Sequence, residues 1–191
     1  VAPSRGLGDV YKRQIYEDDF WKKQYDGKHG YEILADNTVE ELKHIHAVYD
    51  LAKEQGDITD SSYEALEKRW KDENAERSEK VEKGEVIYGL KEYTFQLYLD
   101  YEISTLKEKY CNDTNREGMK LTEDEIQEHY QSREWIFGDS DENADLEMAR
   151  IAVERELREQ KYDDMITQRE TGSQVAGNME NVNRITLKNI Q

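Results

Sequence analysis

The sequence is nearly free of proline and cysteine, with one of each among its 191 residues. The proline is Pro3, so no later helix contains a residue that would break it from within. The cysteine is Cys111, so the chain cannot form an internal disulfide. Charges of both signs lie near Cys111 in the sequence, which favours a small, half-buried apolar residue at a helix end over a reactive thiol.

Positive charge is also scarce, because 44 Asp and Glu stand against 27 Lys and Arg, a formal net charge of −17. Nucleic-acid binding requires dense Lys and Arg, so we expect no nucleic-acid partner. An anionic membrane would repel the chain unless an N-terminal lipid anchor, lost from this sequence, held it there. The 13 Tyr and 3 Trp argue against a disordered chain.

The motifs of common catalytic and metal sites are lacking as well. His44 and His46 are two positions apart on a predicted helix and therefore face different ways. Glu41 with His44, and Glu125 with His129, would each offer two ligands where a zinc site needs three or four. The sequence has no phosphate-binding glycine loop and no nucleophile elbow. It therefore predicts no metal, no cofactor and no catalytic residue.

Apolar residues recur every three or four positions, which predicts a mainly all-α, multi-helix fold with long extended helices. The first predicted helix runs from Tyr16 to Tyr25, and the second from a cap at Asp36 or Asn37 to Gly56. The third runs from Ser61 or Ser62 to Gly84, and the fourth from about 90 to 110. The fifth runs from a capping box of Thr122 and Glu125 to about Trp135, and the last from Asp145 to Arg169. The segment 71–83 is almost entirely charged, which predicts ion pairs at four-residue spacing. Val182 to Leu187 alternate apolar and polar residues, a pattern compatible with one short C-terminal strand.

The first residues resemble a sequence foreign to the protein. Ser4 to Gln14 resembles a sequencing adapter read in one open frame, so we set residues 1–14 aside as a translated adapter. We expect the native chain to start near Ile15. A signal peptide or lipobox upstream of that residue would then be missing from this sequence.

The stretch from Glu85 to Phe137, in which two apolar-rich segments meet across a polar joint, is the most informative part of the chain. Its first segment, 85–110, contains a predicted helix that is apolar on more than one face. The apolar residues of that helix are Leu90, Tyr93, Phe95, Leu97, Tyr98, Leu99, Tyr101, Ile103, Leu106 and Tyr110. Such a helix must be enclosed by partners or must offer a surface to another molecule. We expect Leu97, Tyr101 and Leu106 to lie in the core. The set of apolar residues on the opposite side of the helix fits an exposed surface and the core equally well. That set is Phe95, Tyr98 and Leu99.

Together with Leu121-Thr-Glu-Asp-Glu-Ile126, this segment resembles the helical SurA N-terminal chaperone domain of SurA/PrsA-like peptidyl-prolyl isomerases. In that family a parvulin catalytic domain is inserted between the N-terminal helices and a returning C-terminal helix. The resemblance places the insertion at the acidic loop 138–144, which is far shorter than a domain of about a hundred residues. No parvulin signature is present. Residues 15–191 are therefore expected to be a chaperone domain without the isomerase.

The resemblance implies a non-catalytic, extracytoplasmic protein, secreted or lipid-anchored, that binds unfolded or newly secreted polypeptides. An aromatic cradle would hold these clients, and its candidate residues are Tyr93, Phe95, Tyr98, Leu99 and Trp135. One alternative is a structural or assembly domain that uses its aromatic face as a homodimer or partner interface. Another is a fragment or relative of a parvulin-type prolyl isomerase.

Overall fold

The computed structural model describes residues 20–139, 141–173 and 178–190. In these residues a 3-10 turn at Phe20–Lys22 precedes a hairpin of β1, Gln24–Tyr25, and β2, Lys28–His29. The helices that follow are α1 Gly30–Glu54, α2 Tyr63–Glu82, α3 Phe95–Asn112, α4 Glu123–Gln131, α5 Leu146–Gly172 and α6 Met179–Asn189. The predicted mainly all-α class is confirmed.

The chain divides into two compact units. One unit consists of Val1–Lys43 and Gln174–Gln191, and the other is His44–Ser173. The larger unit contains the second part of α1 and all of α2 to α5. The hairpin and α6 belong to the smaller unit.

Side-chain caps define where most helices begin. A residue just before each helix accepts a backbone N–H of the first turn, in the pairs Ser62 with Ala65, Thr94 with Leu97, Thr122 with Glu125, Asp145 with Met148 and Asn178 with Glu180. Each cap stabilises its helix by about 1 kcal/mol. The predicted capping box of Thr122 and Glu125 is confirmed, as are the starts at Ser62 and Asp145.

The larger unit contains two hydrophobic clusters. The first joins α1, α2, α3 and α5 through Val48, Tyr49, Leu51, Leu66, Tyr98, Leu99, Leu106, Tyr110, Met119, Tyr162 and Ile166. The second lies between α4 and α5 and contains Ile126, Trp135, Ala149 and Val153. The predicted inward positions of Ile126, Ala149 and Val153 are therefore confirmed.

Two predictions at the start of the described chain are wrong. Phe20 to Tyr25 is a turn and a strand rather than a helix, because Asp26 and Gly27, with φ of 51° and 86°, reverse the chain into a hairpin. Residues 16–19 lie outside the described part. Asp36 does not cap α1, which begins six residues earlier at Gly30. Its carboxylate instead lies 2.6 Å from Lys28 Nζ.

Two further boundaries differ. α3 begins at Phe95 rather than near 90, because Thr94 caps it and Gly89 has a φ of 81°, outside helical geometry. Residues 182–187 form part of α6 rather than a strand. The half-buried residues of this segment are at positions 182, 183, 186 and 187. Residues spaced in this way share one face of a helix, so the pattern fits a helix. The described residues of 138–144 have no helix or strand.

Candidate protein-binding surface

The structure reverses the predicted orientation of α3. Tyr98 and Leu99 are buried, whereas Leu97 and Tyr101 are 46% and 42% exposed. The prediction that Leu97 and Tyr101 face the core is wrong, while that for Leu106 is confirmed. An exposed cradle built on Tyr98 and Leu99 is therefore excluded.

The reason for this orientation is a buried carboxylate. Glu102 lies one turn after Tyr98 and is only 8% exposed. It accepts hydrogen bonds from the hydroxyls of Tyr49, at 2.5 Å, and Tyr98, at 2.9 Å. Arg69 completes the group, with Nε 2.7 Å from Oε1 and Nη2 3.0 Å from Oε2. A buried charge must be paired and hydrogen-bonded, so this network determines which side of α3 turns inward.

Burial also sets the protonation of the two tyrosines. Desolvation, together with the neighbouring Glu102 carboxylate, raises the pKa of Tyr49 and that of Tyr98 well above their usual range. Both hydroxyls therefore remain donors to Glu102. The network ties α1, α2 and α3 together and leaves no acid or base free for chemistry.

Tyr93 and Phe95 pack against the hydrophobic cluster that contains Tyr98 and Leu99, so four of the five candidates come together at the core rather than around an open cradle. Phe95 is half-buried, with its ring centroid 5.6 Å from those of Tyr63 and Trp70. Trp135 is buried in the cluster between α4 and α5, beneath the Arg133 guanidinium at 4.2 Å. Its indole N–H donates to the Tyr130 carbonyl at 3.0 Å. Of the five candidates, only Tyr93 and Phe95 are not buried.

Residues 83–94, which we call the strap, connect α2 to α3 without regular secondary structure beyond the end of α2. α2 holds the last part of the strap backbone at Tyr93. Trp70 Nε1 and Asn74 Nδ2 donate to the Tyr93 carbonyl at 2.8 Å and 2.9 Å, and the Tyr93 N–H donates to Asn74 Oδ1 at 2.8 Å.

Arg77 of α2 holds the middle of the strap. Its Nη1 donates to the carbonyls of Tyr88, at 3.0 Å, and Leu90, at 2.7 Å. Its guanidinium lies 4.6 Å from the centroid of the Tyr93 ring, and its Nε donates to Glu73 at 2.8 Å. With its own charge paired in this way, Arg77 fixes the strap backbone to α2.

Most side chains of the strap, by contrast, are exposed, although Ile87 and Tyr93 are half-buried. Tyr88 is 87% exposed and Val86 80%. We define the strap surface as the exposed apolar residues of the strap and of the adjoining end of α3: Val86, Tyr88, Leu90, Leu97 and Tyr101. The ring of Tyr101 stacks on that of Tyr93, with centroids 5.2 Å apart, which links α3 to the strap. Exposed apolar residues gathered on a fixed backbone are typical of protein-binding surfaces.

Sequence reasoning did not select Val86 and Tyr88, although a signal was present. Gly84 and Gly89 flank them, and both glycines have positive φ, 71° and 81°. Glycines at such positions predict a turn that carries short apolar runs outside the helices. The contribution of Arg77 had no comparable signal, because its segment is almost entirely charged.

The remaining candidate groups are structural. Burial raises the pKa of Cys111 to about 11, so the thiol is protonated and unreactive near neutral pH. His44 lies 2.7 Å from Glu170 and His129 lies 3.4 Å from Glu156, each a contact with α5. Within the described ranges, no three His, Cys, Asp or Glu residues are placed to hold a metal ion. No helix found there is long and apolar enough to cross a membrane.

Fold and surface together define an all-α protein with an exposed apolar surface suited to binding another protein. The chain is similar to the chaperone for lacto-N-biosidase of Bifidobacterium longum subsp. longum, with 31% identity over 173 residues. The match covers 88% of this chain and 62% of that protein, so the chain spans about three-fifths of the relative's length. No family model and no solved structure matches the chain.

Proposed function

We propose that this protein is a non-catalytic chaperone for a client enzyme of the lacto-N-biosidase class. The observation that carries the proposal is the 31% identity to a chaperone for such an enzyme. The strap surface supports it, because exposed apolar groups can bind a client that is not yet fully packed. The net charge of −17 supports it as well, because strong charge keeps such a complex soluble.

The proposal retains two expectations from the SurA/PrsA resemblance. One is an extracytoplasmic location, secreted or lipid-anchored, and the other is binding to newly secreted polypeptides. Both stay predictions, as does the family resemblance itself. The binding residues differ from those expected, because the strap surface takes the place of the buried part of the aromatic cradle.

A structural or assembly role is the second candidate. Its support is the fixed backbone of the strap, since a surface held rigidly by α2 suits one defined interface. A relationship to a parvulin-type prolyl isomerase stays a prediction for which the described residues provide no support.

Co-expression with the Bifidobacterium longum lacto-N-biosidase tests the proposed function. We expect a several-fold increase in soluble, active enzyme when the full chain is present. Denatured citrate synthase serves as an unrelated client for comparison. If the chain also suppresses the aggregation of citrate synthase, this result would indicate a general holdase. Failure to rescue the lacto-N-biosidase would contradict the proposal for this class of client.

A further inference from the structure

We propose that the strap surface is the docking site for the client, and that it recognises an apolar pocket edged by Lys and Arg on an already folded part of that protein. This inference rests on the proposed chaperone function and adds to it the site and the chemistry of the partner. It follows from three observations: the rigidity of the strap, the composition of its surface and the charges beside it.

The rigidity favours a folded partner. Five hydrogen bonds from α2 to the backbone of Tyr88, Leu90 and Tyr93 hold the strap. A surface ordered before binding loses little conformational entropy on docking, an advantage that is greatest when the partner surface is also preformed. Surfaces that bind many unfolded chains are instead flexible or rich in methionine.

The composition of the strap surface is typical of an interface in which a few anchor residues provide most of the binding energy. It consists of two tyrosines, two leucines and a valine, and it contains no methionine. Tyr88 is the most exposed of the five. Tyrosine is enriched among the residues that dominate binding energy, and such anchors bind best when they enter a pocket. Tyr88 is therefore expected to be the principal anchor of the strap, and Leu97 the anchor on α3.

The charges beside the strap determine what surrounds that pocket. Lys80 and Lys83 are already paired, with Nζ 2.5 Å from Glu76 and 2.6 Å from Glu79. Glu82, Glu85 and Glu92, in contrast, form no ion pair within the part of the chain that the structure describes, and neither does Lys91, which precedes Glu92. Three unpaired carboxylates against one unpaired lysine leave the strap with an excess of negative charge, which complements a partner that carries Lys and Arg around its apolar pocket.

The same charges disfavour a second copy of this chain as the occupant. A symmetric dimer through the strap surface would place the same surface, with its excess of negative charge, on both sides of the interface. Each chain also carries a net charge of −17. Like charges placed across an interface oppose binding, so a basic client fits this surface better than a second copy does.

The test measures binding of the full chain to the folded and the denatured Bifidobacterium longum lacto-N-biosidase, at low and at high salt. The apolar variant is Tyr88→Ser/Leu97→Ser. Its matched control is Met148→Ser/Ile151→Ser on α5, where Ile151 is 85% exposed. The charge variant is Glu82→Gln/Glu92→Gln, with Glu108→Gln as its control. Thermal unfolding of each variant verifies that it is folded.

We expect the apolar variant to weaken binding to the folded enzyme more than about tenfold, and its α5 control to bind like wild type. The charge variant should bind more slowly and show a weaker dependence on salt. If the wild type rescues the enzyme but the apolar variant binds the enzyme as tightly as the wild type does, the inference is overturned and the proposed function stands. Binding of the wild type to the denatured enzyme alone would also overturn the inference. Self-association of the wild type that is lost in the apolar variant would overturn it as well. A wild type that neither binds nor rescues the enzyme would overturn both.

Discussion

Each side of α3 contains an exception to the pattern of an ordinary amphipathic helix. The side facing the core carries a carboxylate, Glu102, whereas the side facing solvent carries Leu97 and Tyr101. The buried carboxylate has four hydrogen bonds, from Tyr49, Tyr98 and Arg69. The exposed apolar side adjoins the strap. One side thus holds the helices together, and the other is available to a partner.

This comparison shows that burial in α3 follows the placement of polar partners rather than hydrophobicity alone. Turning the helix to bury Leu97 and Tyr101 would expose Tyr98 and leave Arg69 without its carboxylate. Breaking this buried ion pair would destabilise the fold by more than the burial of Leu97 and Tyr101 would stabilise it. An apolar surface is therefore left in solvent.

Removal of the buried carboxylate should have the largest effect. Glu102→Ala leaves the Arg69 guanidinium and two tyrosine hydroxyls without their acceptor, so we expect the free energy of unfolding to fall by about 3 kcal/mol or more. Urea denaturation measures it. Glu108→Ala, at an exposed position of the same helix, is the control and should change stability by less than about 0.5 kcal/mol. Equal losses for the two variants would contradict a structural role for the network.

Two leucines two positions apart give the next test. Leu99 is buried and Leu97 is 46% exposed. Leu99→Ala should lower the free energy of unfolding by about 3 kcal/mol, because it leaves a cavity. Leu97→Ala should cost less than about 0.5 kcal/mol. Denaturation of the two variants under the same conditions decides the orientation of α3, and a reversed order would show that the helix is turned the other way.

The sequence was sufficient for much of the fold but not for this orientation. Ser62, Thr122 and Asp145 are local signals, and the helices start after them as expected. The ion pairs at four-residue spacing in α2 were likewise predictable, since Lys80 and Glu76 lie on one face. Each of these predictions depends on residues within one turn of each other.

The orientation of α3 depends on residues far apart in the sequence. Glu102 bonds to Arg69, 33 residues away, and to Tyr49, 53 residues away. In a chain with 44 acidic residues, nothing marks Glu102 as the buried one. Periodicity cannot choose an inner face when a helix is apolar nearly all round. The exposure of Leu97 and Tyr101 was missed for the same reason, whereas Val86 and Tyr88 lie outside the helix, between Gly84 and Gly89.

Loosening the strap should have a smaller effect on stability. Arg77→Ala removes the donor to the carbonyls of Tyr88 and Leu90, so we expect a loss of about 1 to 2 kcal/mol. Amide hydrogen exchange in residues 84–92 should accelerate, while exchange in α3 should change little. Lys80→Ala is the control, since its exposed pair with Glu76 contributes little. Unchanged exchange in the strap of the Arg77 variant would show that other contacts order it.

The smallest effect concerns an exposed carboxylate that contrasts with Glu102. Glu125 contacts Lys161 and accepts from the N–H and hydroxyl of Thr122, which lowers its pKa from 4.5 to about 2. A lowered pKa in the folded state stabilises the protein above pH 4.5, and this contribution is lost as the pH falls towards 2. Glu125→Gln should therefore cost less than about 1 kcal/mol at neutral pH and nothing near pH 2. Thermal unfolding across this range measures it. A difference between Glu125→Gln and wild type that stays constant with pH would mean that the carboxylate charge is not the cause.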